Sequence, residues 1–376
     1  MSGGRLAFID DASATWHNPA NLVDLKAWEA SAEPTFVHHS VRYRSAYDGS
    51  TTRTEDPWKF LPAIFAGGPL NDRVAAGIGV TVPYGLSIKW DEAGAFRYTA
   101  PHYVDLKTFN VNPTLAFRLG DRVRLGLGVD AMWSELHLKQ IYPWGLAFGN
   151  PGLADGELRA RGDGMGYSGN LGLTVEPIDG HRIAFTARLP MQVDYEGHFT
   201  GTGFPLSPDS SLRTDFRSQI KFPTVLALGY GVRVTDTVRL EANAEWVQFS
   251  RFETLNLEVP ASLPGLATQY PQDWKDTFTF GAGGEWAFSE GWRARLSYQH
   301  YQSPVPERTF SPTIPDASQN VVTVGVGYRN GRHRLDLAYS RVFYDDRRIT
   351  VNQNPAYLGV YEIAVHLISV GYGFSF

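Results

Sequence analysis

The connections between strand-like runs constrain this chain more than the runs themselves. Tight links at Gly120-Asp121, Ile178-Asp179-Gly180, Thr235-Asp236, Ser289-Glu290-Gly291 and Asn330-Gly331 alternate with long, Pro- and Gly-rich ones. The long ones fall at 47–56, 90–102, 142–160, 198–212, 254–273, 305–317 and 349–360. Asn-Gly and Asp-Gly pairs suit hairpin turns because they accept positive φ. Two stacked sheets in water have no reason to sort loops by length. A closed cylinder crossing a membrane does, with short turns at one rim and long loops at the other. The runs lie near 33–46, 57–68, 72–89, 103–119, 122–141, 161–177, 181–197, 213–233, 237–253, 274–289, 292–304, 318–330, 333–348 and 361–376. That makes about fourteen strands, and an even count returns both chain ends to the short-turn rim.

The faces of these runs agree. In the last stretch Ile368, Val370, Tyr372, Phe374 and Phe376 alternate with Leu367, Ser369, Gly371, Gly373 and Ser375, which a period of two places on opposite sides of a strand. Val238, Leu240, Ala242, Ala244 and Trp246 alternate with Arg239, Glu241, Asn243 and Glu245. Val123, Leu125, Leu127 and Val129 alternate with Arg124, Gly126, Gly128 and Asp130. An Arg or Lys facing mid-bilayer lipid costs about 2–4 kcal/mol, so Glu241, Glu245, Arg293, Arg295, Asp130 and Asp336 are assigned to the lumen. Trp133, Trp246, Tyr298, Tyr301, Phe343 and Tyr344 are expected at one aromatic belt. Phe117, Trp286, Phe288, Trp292 and Tyr328 are expected at the other. The fold class is therefore an all-β transmembrane antiparallel β-barrel of about 14 strands.

Composition excludes other classes. No apolar run reaches the roughly 20 residues a spanning helix needs, and mean hydropathy is negative. Of 376 residues none is Cys, which removes disulfide frameworks, thiolate nucleophiles and cysteine-bound metals. The formal charge of -5 and the absence of a basic tract exclude nucleic acid as a partner. Met1-Ser2-Gly3-Gly4-Arg5 leads directly into polar sequence, so an export signal is read as already removed or trimmed.

Residues 1–32 do not alternate, and they carry Asx and Pro punctuation. They are assigned to a plug, or hatch, inside a barrel formed by 33–376, because about fourteen strands enclose more space than their own side chains fill. Here the chain resembles the FadL family of outer-membrane transporters for hydrophobic compounds. The likeness rests on Asp10-Asp11-Ala12-Ser13, on Asn18-Pro19-Ala20 of the hatch, and on Pro83-Tyr84-Gly85-Leu86. It continues through Asn112-Pro113-Thr114, Leu189-Pro190, Trp274-Lys275-Asp276, Ser303-Pro304-Val305-Pro306 and Leu335-Asp336-Leu337. Only nine residues precede Asp10, fewer than family members usually carry. The resemblance implies an outer-membrane protein that takes up hydrophobic molecules passively. Loops capture the molecule, a lumenal pocket holds it, and a strand kink releases it sideways. Long-chain fatty acids are the first substrate expected, and aromatic hydrocarbons or alkanes the second.

Several residues fit that route. Proline cannot donate to a ladder, so Pro83-Tyr84-Gly85 marks either a kink within a strand or the strand's end at the outer rim. Tyr142, Trp144, Leu146 and Phe148 form an apolar loop, with Phe199 and Phe204 on the loop opposite. Such loops either bind an apolar molecule or pack on each other. Arg293, Arg295 and Arg188 are placed to receive a carboxylate in the lumen, or to neutralise lumenal carboxylates such as Glu241 and Glu245. A hydrophilic porin is the competing channel, and sugar entry at ordinary porin rates would establish it. Catalysis is not expected: His38, His39, His198, His300 and His366 are scattered and no Gly-x-Ser-x-Gly elbow exists. No cofactor or metal is expected, and Asp345-Asp346 reads as a solvated rim pair. The outer wall would meet outer-membrane lipid and lipopolysaccharide, with the protein a monomer.

Overall fold

The computed structural model describes residues 4–203, 212–259 and 266–376. It is an antiparallel barrel of 14 wall strands closed on itself. Several walls are built from two or three pieces. The first comprises Glu29–Ala32 and Thr35–Ser45; the second Thr51–Glu55, Trp58–Leu61 and Ile64–Asn71; the third Val74–Thr81 and Leu86–Trp90. The fourth to sixth are Tyr103–Arg118, Val123–Tyr142 and Gly156–Ile178. The seventh is His181–Arg188 with Met191–Gly201, and the eighth Leu212–Phe222 with Val225–Arg233. Val238–Val247, Thr277–Ser289, Trp292–Tyr301, Gln319–Asn330, His333–Tyr344 and Gly359–Ser375 complete the ring. Closure runs from Glu29↔Ser375 through Thr35↔Ser369 to Ser45↔Gly359. The wall therefore begins at Glu29, four residues before the expected Glu33.

Period two sorts the faces. Leu127, Val129, Leu240, Leu296, Val324, Leu337 and Val370 are exposed on the outside, while Asp130, Asn110, Asn112, Gln299 and Thr323 are buried within. Trp286, Phe288 and Trp292 are exposed near the short turns, and Tyr298 and Phe343 near the long loops. Two belt assignments are corrected. Tyr301 and Tyr344 pack inward on Val321, Val342 and Val365, because each lies an odd number of positions from an outward neighbour, Tyr298 or Phe343.

The N-terminal segment lies against inward faces from opposite parts of the wall. A short helix, Ala14–His17, leads into a 3-10 turn, Pro19–Asp24. Asn18 caps the turn by accepting from the Ala20 N–H at 3.2 Å, and donates to Leu6 O and Thr174 Oγ1 at 2.8 Å each. Pro19 and Ala20 press on Gly126 and Gly172: a Cβ on Gly126 would stand 2.3 Å from the Pro19 carbonyl carbon. Only glycine permits so close an approach of two backbones. Farther round the ring, Glu241 accepts from the N–H groups of Leu6 (2.6 Å) and Phe8 (3.3 Å). Arg334 pairs with Asp11, with Glu33 at 2.8 Å and with Glu29 at 3.3 Å.

Candidate functional site

The third wall strand breaks at residues 82–85, between Val74–Thr81 and Leu86–Trp90. Pro83 has no N–H to give, and the chain bends into the lumen there. Tyr84 stacks on Phe222 of the eighth strand with ring centroids 4.5 Å apart, and its backbone N–H donates to Thr108 Oγ1 at 3.3 Å. The second and third strands pair from Asn71↔Val74 up to Ile64↔Val80, then again at Glu55↔Lys89 and Thr54↔Trp90. Between those ladders, residues 56–63 and 81–88 make no pair with each other. Asp56, at the edge of this gap, takes the left-handed φ of +51°.

Above the break lies a cavity of about 570 Å³, within the size range of small-molecule sites. Its walls are Tyr84, Leu86, Leu106, Leu136, Leu138, Ile220 and Phe222 from the strands, and Phe249, Phe252, Leu255, Trp274 and Ile314 from the loops. Its polar edge is Lys221, Gln272, Ser311, Thr313 and Gln319; Ser311 and Thr313 bond to each other at 2.7 Å and Gln272 donates to Tyr270 O at 3.1 Å. The buried Trp274 Nε1–H has no partner among the described residues, and no hydrogen bond there reaches the Tyr84 or Tyr270 hydroxyl. Pro83 and Tyr84 also line a second, polar cavity of about 260 Å³ on the hatch side, with Arg5, His17, Arg188 and Glu245. The kink thus divides an apolar upper chamber from a charged lower one.

The arginines singled out from the sequence are engaged elsewhere. Arg188 donates to Asp130 at 2.7 Å and lies 3.5 Å over the Trp16 ring. Arg293 holds Asp10 (3.3 Å) and Glu285 (3.0 Å); Arg295 holds Glu285 (2.7 Å) and Asp336. None of the three lines the apolar cavity. The loop aromatics divide. Tyr142, Trp144 and Phe199 are buried in the large apolar cluster, and Trp144 Nε1 donates across to Thr202 O at 2.9 Å. Leu146 and Phe148 stay exposed, and Phe204 lies outside the described residues. Asn18, Pro19 and Ala20 sit on Gly126 and Gly172 as above, away from the apolar cavity.

A period-two reading could have found the cavity walls. Along Val123–Tyr142 the inward positions pass from Arg124 and Asp130 to Met132, Leu136 and Leu138. An inward face that turns apolar halfway up marks an apolar chamber.

Known proteins share this fold. A family model described as outer membrane protein transport protein (OMPP1/FadL/TodX) matches residues 1–376. A long-chain fatty acid transport protein of Salmonella typhi is 22% identical over 378 residues, covering 94% of this chain and 86% of that protein. The crystal structure of a Pseudomonas aeruginosa FadL homologue superposes with a TM-score of 0.86 at 21% identity, over 100% of this chain and 96% of the other. The Ralstonia pickettii toluene transporter TbuX gives 0.77 at 20% identity, over 100% and 96%.

Proposed function

This chain belongs to the OMPP1/FadL/TodX family of outer-membrane transport proteins, and on that premise we propose that it carries long-chain fatty acids. It is an outer-membrane β-barrel for hydrophobic compounds; the choice of substrate and the route are our reading. The observation that carries it is the apolar cavity above the break at 82–85, beside a stretch where two wall strands are unpaired. Exposed Leu146 and Phe148 offer a first apolar contact to a molecule arriving from outside. The acyl chain then occupies the cavity. The Tyr84 and Tyr270 hydroxyls donate to its carboxylate, in place of Arg188, Arg293 and Arg295. Exit is sideways through the gap flanked by Leu61 and Pro83, and residues 1–32 act as the plug that keeps the lower chamber closed.

The unbonded Tyr84 and Tyr270 hydroxyls favour a fatty acid over a hydrocarbon, because each would be left unsatisfied beside toluene. The name of the Salmonella typhi relative supports the same choice; the toluene transporter supports the second reading, an aromatic hydrocarbon. The test is uptake by cells lacking their own carrier, given oleate and toluene separately. Faster oleate uptake with unchanged toluene uptake is expected. Sugar permeation at porin rates without oleate uptake would overturn the proposal.

A further inference from the structure

Three side chains that are far apart in sequence meet near the long-loop rim. Glu92 and His102 belong to the connection after the third strand, and Glu157 stands at the start of the sixth. One ligand atom from each lies within 4.8 Å of the other two. His102 Nε2 is 3.5 Å from Glu92 Oε1 and 3.9 Å from Glu157 Oε2. These are long for hydrogen bonds. Two atoms that each bind a tetrahedral zinc at about 2.0–2.1 Å stand about 3.4 Å apart.

The second observation is the imidazole itself. The His102 side chain is 2% exposed, no hydrogen bond among the described residues reaches the ring, and Nδ1 is buried without a partner. Nε2, the ring atom that faces both carboxylates, is left free to act as a ligand.

We propose that Glu92, His102 and Glu157 bind one divalent ion of the zinc class, with water completing the coordination. Calcium and magnesium prefer all-oxygen sets, whereas one imidazole with carboxylates suits zinc. Much of the frame is already built. Trp90 N–H donates to His102 O at 2.7 Å, Glu157 N–H donates to Thr202 Oγ1 at 3.0 Å, and Arg159 holds the other Glu157 oxygen. Glu92 Oε1 already stands near the zinc-ligand spacing from Nε2, and the Glu157 oxygen, at 3.9 Å, has the farther to come. Nearby Arg97 and the Tyr98 hydroxyl each donate to Asp155 at 2.8 Å, so the ion reinforces an existing tie between two long loops. Pro101, next to His102, lines the apolar cavity, which places the ion on the frame of its mouth. Positions 92, 102 and 157 follow no metal-ligand spacing, so nothing in the sequence alone joins them.

The test is zinc chloride titrated into the detergent-solubilised, chelator-stripped barrel, with bound metal measured after desalting. About one zinc per chain is expected, unaffected by excess calcium, and His102→Ala should weaken binding about tenfold or more. Glu92→Gln alters an exposed side chain, so the barrel should keep its heat-modifiable gel mobility while zinc binding falls by a similar factor. No retained zinc in the wild type overturns the site, as does binding in a folded Glu92→Gln as tight as the wild type's.

Discussion

Replacing Gly126 with alanine separates two accounts of the N-terminal segment. In an isolated strand Gly→Ala is mildly stabilising, by about 0.5–1 kcal/mol. Here the added Cβ would meet Pro19 C at 2.3 Å and Ala20 N at 2.4 Å. Comfortable contact needs about 3.5 Å, so the segment must recede by about 1 Å. That displacement stretches the bonds of Asn18 and Asn21 to Thr174, each 2.8 Å, beyond hydrogen-bond reach. Two buried bonds left unmade cost about 1–3 kcal/mol each, and after the strand gain the net loss is about 1–5 kcal/mol. Thermal unfolding in detergent and single-channel conductance in planar bilayers read the two consequences. Gly126→Ala should melt earlier and conduct small ions more often. Gly169→Ala, whose Cβ would meet nothing closer than 3.6 Å, is the control and should do neither. If Gly126→Ala melts at or above the control and stays electrically silent, the segment does not cork the lumen through this seat.

Further outcomes follow from other contacts. Tyr270→Phe removes an unbonded wall hydroxyl, so oleate binding followed by fluorescence should weaken by about 0.5–1.5 kcal/mol while binding of an uncharged hydrocarbon is unchanged. Equal losses for both ligands would remove the carboxylate role. Pro83→Val combined with Gly85→Val, by straightening the third strand, should slow uptake with folding intact; unchanged uptake would discard lateral exit. Glu307 joins two long loops by accepting from the Thr350 hydroxyl (2.7 Å) and the Val351 N–H (3.0 Å). Hydrogen bonds from the Thr350 N–H and hydroxyl hold its carboxyl below the usual range. A depressed carboxylate lends stability above its unfolded value that is lost as pH falls through the folded one. Hydrogen exchange at 350–351 should therefore stay slow at pH 5 and quicken only in stronger acid. Fast exchange at pH 6 would contradict this.

The wall was legible because a strand embedded in lipid has one solvent per face, so alternation survives in nearly every run. Where rim position and parity conflict, as at Tyr301 and Tyr344, parity decides the face. The lumenal arginines were placed correctly on the inner face, yet their partners were not readable. Asp10 comes from a segment whose docking no local pattern encodes, and Arg295 is reached by Glu285 from the adjacent strand and by Asp336 from two strands away. Pro83 announced an irregularity but not its direction. The inward bend is fixed by Tyr84 meeting Phe222, a contact between residues far apart in the chain. Glu92, His102 and Glu157 were invisible for the same reason.

The seam between the first and last walls has a consequence for how the molecule is made. Ser45 finds Gly359, and Glu29 finds Ser375, only after everything between them has been synthesised. Until then the polar interior has no counterpart to face and the oily exterior no lipid guaranteed. Assembly should be all-or-nothing, slow, and dependent on an escort through water. A chain cut short by even its final hairpin should leave no smaller cylinder behind, only an open sheet with two raw edges.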